Sequence, residues 1–201
     1  MQPYEIIMAP AEVYVTLEGE TPPAINAIPG GNWVLLGVAG KRNQAVAGVK
    51  IKHSETLKFH TTAGATGSVK AVRTGEEVSV ELTIEDLTLE TYAKAMNMAG
   101  IREVAAASGV AGYKAFGGKQ GTDVVTWALL VRVDASPYGD GLAMQWAFPK
   151  VVENGNLELT FDSEGAALGL ALKYVALEDP NAASDAERFF VVTAQTAPAL
   201  P

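Results

Sequence analysis

The chain has no cysteine and only two histidines, His53 and His60. Disulfides, thiol catalysis, iron–sulfur clusters and Cys-based zinc sites are therefore excluded, and a His-rich metal centre with them. No stretch approaches the ~18 consecutive apolar residues of a membrane-spanning helix. The opening MQPYEIIMAPAEVYV has neither the basic start nor the apolar run of a secretory signal. Synthesis in a cytoplasm is expected, with no membrane partner. No repeat of fixed period is visible. Basic residues are scarce: 15 Lys and Arg against 23 Asp and Glu give a net charge of −8 over 201 residues. A whole-body basic footprint for nucleic acid is absent.

What is present is a globular composition, 48% hydrophobic with 20 Gly and 10 Pro. The few basic residues are concentrated. Residues 41–73 hold Lys41, Arg42, Lys50, Lys52, Lys58, Lys70 and Arg73 against Glu55 alone, a local net charge of +6 that leaves −14 for the remainder. Such asymmetry points to an electrostatic partner surface; a solvated hairpin without a partner is the alternative.

Period-two alternation, the signature of strands, runs through most of the chain. Val13, Val15 and Leu17 share one face. Val78, Val80, Leu82 and Ile84 share another, opposite Glu77, Ser79, Glu81, Thr83 and Glu85. The pattern recurs over 125–133, 142–148, 157–161 and 168–174, with a short last run at 189–193. Asn154-Gly155 reads as a tight hairpin turn needing φ > 0 at both residues. Pro22-Pro23 and Pro29-Gly30-Gly31 separate the first strand from the second. One helix is expected over 89–99, capped by Thr88 at its start and Gly100 at its end. A second helical turn is expected at Glu103–Ala107, and a Gly-rich loop over 108–121. The expectation is one domain, 1–201: an antiparallel β-sandwich or barrel with a single flanking helix and a long basic hairpin over 41–75.

Catalytic motifs are missing. There is no Gly-x-Ser-x-Gly elbow and no His-Glu-x-x-His. Gly112–Lys119 has the wrong spacing for a phosphate loop, and Gln120 stands where the metal-binding hydroxyl belongs. Asp179, Asn181, Asp185 and Glu187 lack calcium-loop spacing. Acidic residues are plentiful, but nothing in their spacing singles out a carboxylate pair. Trp127 and Trp146 share faces with aliphatic residues, which suits core packing better than a sugar platform. No catalytic residue, metal site or cofactor is expected.

The order AEVYV, Pro-rich turn, then Asn32-Trp33-Val34-Leu35-Leu36-Gly37 resembles the start of tail tube (major tail) proteins of long-tailed bacteriophages. So does the passage Val80-Glu81-Leu82-Thr83-Ile84-Glu85-Asp86-Leu87-Thr88-Leu89-Glu90, a strand ending in Glu followed by a helix beginning Thr-Leu-Glu. The likeness covers roughly the first 100 residues. Asn32 departs from it where Gly commonly precedes the Trp, as does the basic character of 41–73. The resemblance implies two packed β-sheets with a flanking helix, and a virion structural protein that self-assembles. Hexameric rings would stack into a hollow tail tube, filled by tape measure protein during assembly and later by DNA in transit without specific binding. Tail terminator and distal tail proteins would cap it. A type VI secretion-like tube protein is a related alternative; a β-sandwich module binding carbohydrate or a cell surface is a distinct one. On the tube reading, Glu77, Ser79, Glu81, Thr83 and Glu85 are candidates to face the lumen, because an acidic lining repels phosphate. Lys41, Arg42, Lys50, Lys52, His53, Lys58 and His60 are candidates for contacts between rings.

Overall fold

The computed structural model describes residues 10–38, 48–64, 66–85, 88–98, 100–118, 124–155, 157 and 169–199. Lys41 and Arg42 lie outside these residues, as do the expected strand over 158–161, Leu168, Asp86 and Leu87, Ala99, and 119–121 of the Gly-rich loop. The elements are β1 (Ala11–Leu17), β2 (Val34–Val38), β3 (Lys50–His60), β4 (Lys70–Ile84), α1 (Leu89–Ala95), β5 (Arg102–Val104), β6 (Tyr113–Ala115), β7 (Trp127–Val133), β8 (Met144–Glu153), β9 (Leu170–Ala176) and β10 (Val191–Ala194). Eight strands make one antiparallel sheet in the order β2–β1–β7–β8–β9–β4–β3, with β10 added alongside β8; β5 and β6 form a separate ribbon. The fold is all-β with one flanking helix, as the alternation predicts.

The sheet turns over on itself at β8. Met144–Ala147 pair with β7 on one side and β10 on the other, whereas Val151–Glu153 pair with β9. Pro149 and Lys150 fall between, where the register against β7 slips. An extra residue and a missing ladder N–H both bend a strand there. The bend lets Val13 and Val15 of β1, Leu129 and Val131 of β7, and Val78, Val80 and Leu82 of β4 share one core with Phe148, Leu172 and Tyr174. In a flat sheet, with strands ~4.8 Å apart, the inner faces of β1 and β4 would stay separated. Burying Val78, Val80, Leu82 and Ile84 contributes about 1.5–3 kcal/mol each.

The outer face of β1–β7–β8 is also covered. Residues 18–33 cross it as a strap: Arg132 donates to the carbonyls of Ile25 (3.0 Å) and Ala27 (2.9 Å), and Gln145 Nε2 to that of Pro23 (3.1 Å). Under the strap Tyr14, Trp33, Ala128, Leu130 and Ala147 form a second core. Every residue of β7 is therefore buried, which the simple alternation at 125–133 does not anticipate.

Thr88 caps α1 as expected, its Oγ1 accepting from the Thr91 N–H (3.2 Å). The far end differs. The helix stops at Ala95, and Asn97, not Gly100, takes the left-handed turn that ends it (φ 52°), with the Met98 N–H returning to the Ala93 carbonyl (2.8 Å). Glu103–Ala107 is not helical. Arg102–Val104 pairs with Tyr113–Ala115 inside the expected Gly-rich loop, and cross-strand hydrogen bonds outweigh the alanines' helix propensity. Asn154-Gly155 does not form the expected tight turn, since neither residue has positive φ. Instead the Asn154 N–H donates to the Lys173 carbonyl (2.8 Å), and the Glu153 carboxylate accepts from the Gly155 N–H (2.8 Å).

Candidate assembly surface

The long hairpin is longer than the basic segment suggests. Its second arm and the acidic strand 77–85 are one continuous fifteen-residue strand, β4, paired with β3 from Lys50↔Glu81 to His60↔Lys70. Only its second half, from Val78 to Ile84, lies over the core. β3 is exposed throughout, and β4 is exposed from Lys70 to Gly75. The hairpin therefore projects beyond the body of the sheet.

Register decides which charges meet. Cross-strand partners point to the same face. Lys50 and Lys52 thus share the outer face with Glu77 and Glu81, so the residues expected to line a lumen and those expected to reach another ring stand side by side. Lys52 Nζ lies 2.6 Å from Glu81 Oε1, and Lys173 of β9 lies 3.6 Å from Glu77 Oε1. The Lys52 ammonium holds the Glu81 carboxyl below the ordinary carboxylate range, with weaker help from Lys173 and Lys50. Thr83 is half-buried and Glu85 exposed on this face. Ser79 is buried, only 4% exposed, and departs from the expected open lining because its short side chain sinks between longer neighbours.

The opposite face of the hairpin carries a closed charge cluster. Arg73 bridges Glu55 (2.7 Å) and Glu76 (2.8 Å), and His53 Nε2 meets Glu76 Oε1 (2.8 Å). The His53 ring stands edge-on to Phe190, centroid to centroid 6.3 Å, and Phe190 packs on Phe148 of the core. This contact fixes the root of the hairpin. Lys52, His53 and Arg73 are thus engaged within the chain. Lys50, Lys58, His60 and Lys70 form no ion pair among the described residues.

Past the cluster the hairpin is apolar and uncovered: Leu57 is 43% exposed, Phe59 65%, Val69 60% and Val72 48%. Sequence reading missed these residues, because Lys and Thr between them conceal the run. Among the described residues the sheet ends on open edges: β3 pairs only with β4, and β2 only with β1; Val34 and Leu35 of β2 are also exposed.

Among the described residues no cluster of three or more His, Asp or Glu could hold a metal ion. Buried Glu153 accepts backbone N–H bonds from Gly155 and Lys173 (3.2 Å), and burial raises its carboxyl above the ordinary range. Trp33 and Trp127 are buried and Trp146 is half-buried, leaving no exposed tryptophan platform. No family model matches the sequence, and a search of curated proteins finds no relative.

Proposed function

We propose that the chain is a structural subunit whose copies join edge to edge into rings, the rings stacking into a hollow tube of the phage tail type. The observation that carries this reading is that, among the described residues, β2 and β3 stand at opposite ends of a single sheet and each has one edge without a partner strand, the latter in a hairpin whose first arm is exposed throughout. An open edge is a template for another strand. Two different edges on one molecule join head to tail, and a head-to-tail contact closes into a ring when its rotation allows. A two-stranded ribbon is marginal alone in water, so a neighbour that covers the hairpin stabilises both.

The outer face of β3, β4 and β9 suits a conduit. Glu77, Glu81, Thr83 and Glu85 remain its lumen candidates, and Glu81 and Glu77 neutralise Lys52 and Lys173 beside them. Cations engaged in this way release fewer counterions to passing phosphate, so DNA slides without being held. Tape measure protein during assembly, and terminator and distal tail proteins at the ends, are the partners this role requires. Sedimentation at rising concentration, with negative-stain images of the fastest species, tests the reading. Rings or hollow rods are expected. A single monomeric boundary at every concentration, with a sugar or surface ligand bound by the monomer, would favour a binding module.

A further inference from the structure

The structure points to a specific seat for the hairpin: we propose that the β3–β4 tip of one copy docks into the groove between the 22–25 strap and the 179–187 segment of a second copy. This rests on the self-assembly reading and names the surface that receives the hairpin.

The tip combines two properties. Leu57, Phe59, Val69 and Val72 offer apolar surface, and Lys58, His60 and Lys70 carry basic groups without an ion pair among the described residues. A matching seat must be apolar inside and acidic at its mouth. The groove is a cavity of about 400 Å³ lined by Pro22, Pro23, Ile25, Ala147, Pro149 and Val191, with Asp179 and Glu187 at its margin. Neither acid forms an ion pair among the described residues, whereas their neighbours Glu178 and Asp185 are both held by Arg188.

Two other cavities fit less well. The one beside α1 is apolar, with Leu17, Ala93 and Trp127, but the acid on its wall, Glu90, is already bound to Lys114 (2.9 Å). The one on the outer face of β4 and β9 is walled by Lys50, Glu81 and Lys173 and would bury charge beside a phenyl ring.

The hairpin cannot fill its own groove. His53 is anchored on Phe190, and six further residues of extended strand carry Phe59 about 20 Å outward. Folding back would break the β3–β4 ladder. A second copy is therefore the occupant.

The chain's lack of cysteine makes cross-linking free of background. Phe59→Cys with Ala183→Cys, both exposed positions, should give disulfide-linked chains under mild oxidation, while Phe59→Cys with Ala111→Cys on the β5–β6 turn should not. Lys58→Glu with Lys70→Glu should weaken association by about tenfold or more, as like charges then face each other. Adding Asp179→Lys and Glu187→Lys to the same chain should restore it. Rings that form in the Phe59→Cys/Ala183→Cys variant without a cross-link, or a reciprocal swap that restores nothing, would overturn the docking and leave the ring reading standing. Cross-linked chains that never close into rings would uphold the docking and contradict the rings. No association in native mass spectra at any concentration would overturn both.

Discussion

Asn97 shows how much one residue can hold. It occupies a left-handed backbone position that ends α1, and its side chain bonds both backbone groups of Glu153: Nδ2 to the carbonyl at 2.8 Å, and Oδ1 from the N–H at 3.0 Å. The helix is thereby tied to β8. Asn97→Gly keeps the backbone freedom and loses the bonds, at about 1–2 kcal/mol; Asn97→Ala loses both, at about 2–3 kcal/mol. Urea unfolding of the two variants checks the order. Glu153 gives a pH prediction. Its folded pKa is raised by burial, so the fold favours its protonated form. That preference is fully present below the unfolded value, near 4.3, and is lost as pH rises through the folded value. Glu153→Gln keeps an acceptor for Gly155 and Lys173 without the buried charge. It should be more stable than the parent at pH 7, and the difference should shrink toward pH 4. An unchanged difference across that range would remove Glu153 from the account. Thr88 was legible as a cap because the signal is local. Asn97 was not, because its partner lies 56 residues away.

At the scale of elements, alternation revealed β1, β4, β8 and β9 because each buries one face over much of its length. It revealed β7 too, but not that both its faces are buried, and it did not reveal the β5–β6 ribbon; both depend on long-range packing. β7 has the main core on one face and, on the other, a strap more than ninety residues earlier in the chain, and the β5–β6 ribbon overrode an Ala-rich segment. The candidate surface was half legible. The basic residues of 41–73 and the acids of 77–85 were visible, but not that one hairpin brings Lys50 and Lys52 of β3 and Glu77 and Glu81 of β4 to one face, since register over the turn at 61–69 is not written in composition. Two predictions belong here. Leu57→Ser with Phe59→Ser should change monomer stability by less than about 0.5 kcal/mol, because both side chains are exposed, yet raise the concentration needed for assembly. Calorimetry beside sedimentation separates the two effects. Glu77→Gln with Glu81→Gln frees Lys52 and Lys173. DNA retention by the assembled protein should rise and become steeply salt-dependent; retention that stays at the parent level would argue against an outer face that lines the conduit.

As a whole, the molecule is a sheet with two unlike ends. Its net charge of −8 makes like copies repel at long range, and salt screens that repulsion within about 10 Å. Apolar and edge contacts between copies should therefore strengthen on moving from low to physiological salt, while the basic tip and the acidic groove mouth lose part of their attraction. Leu35→Glu, placed on the β2 edge, should leave the monomer folded and block growth. The central claim is that like copies join through β2 and β3. A cryo-electron microscopy map of the purified, concentrated protein tests it most directly. The account predicts closed rings in which β3 of each 21.1 kDa copy lies beside β2 of the next. Rings built through other surfaces, with both strand edges left facing solvent, would contradict it.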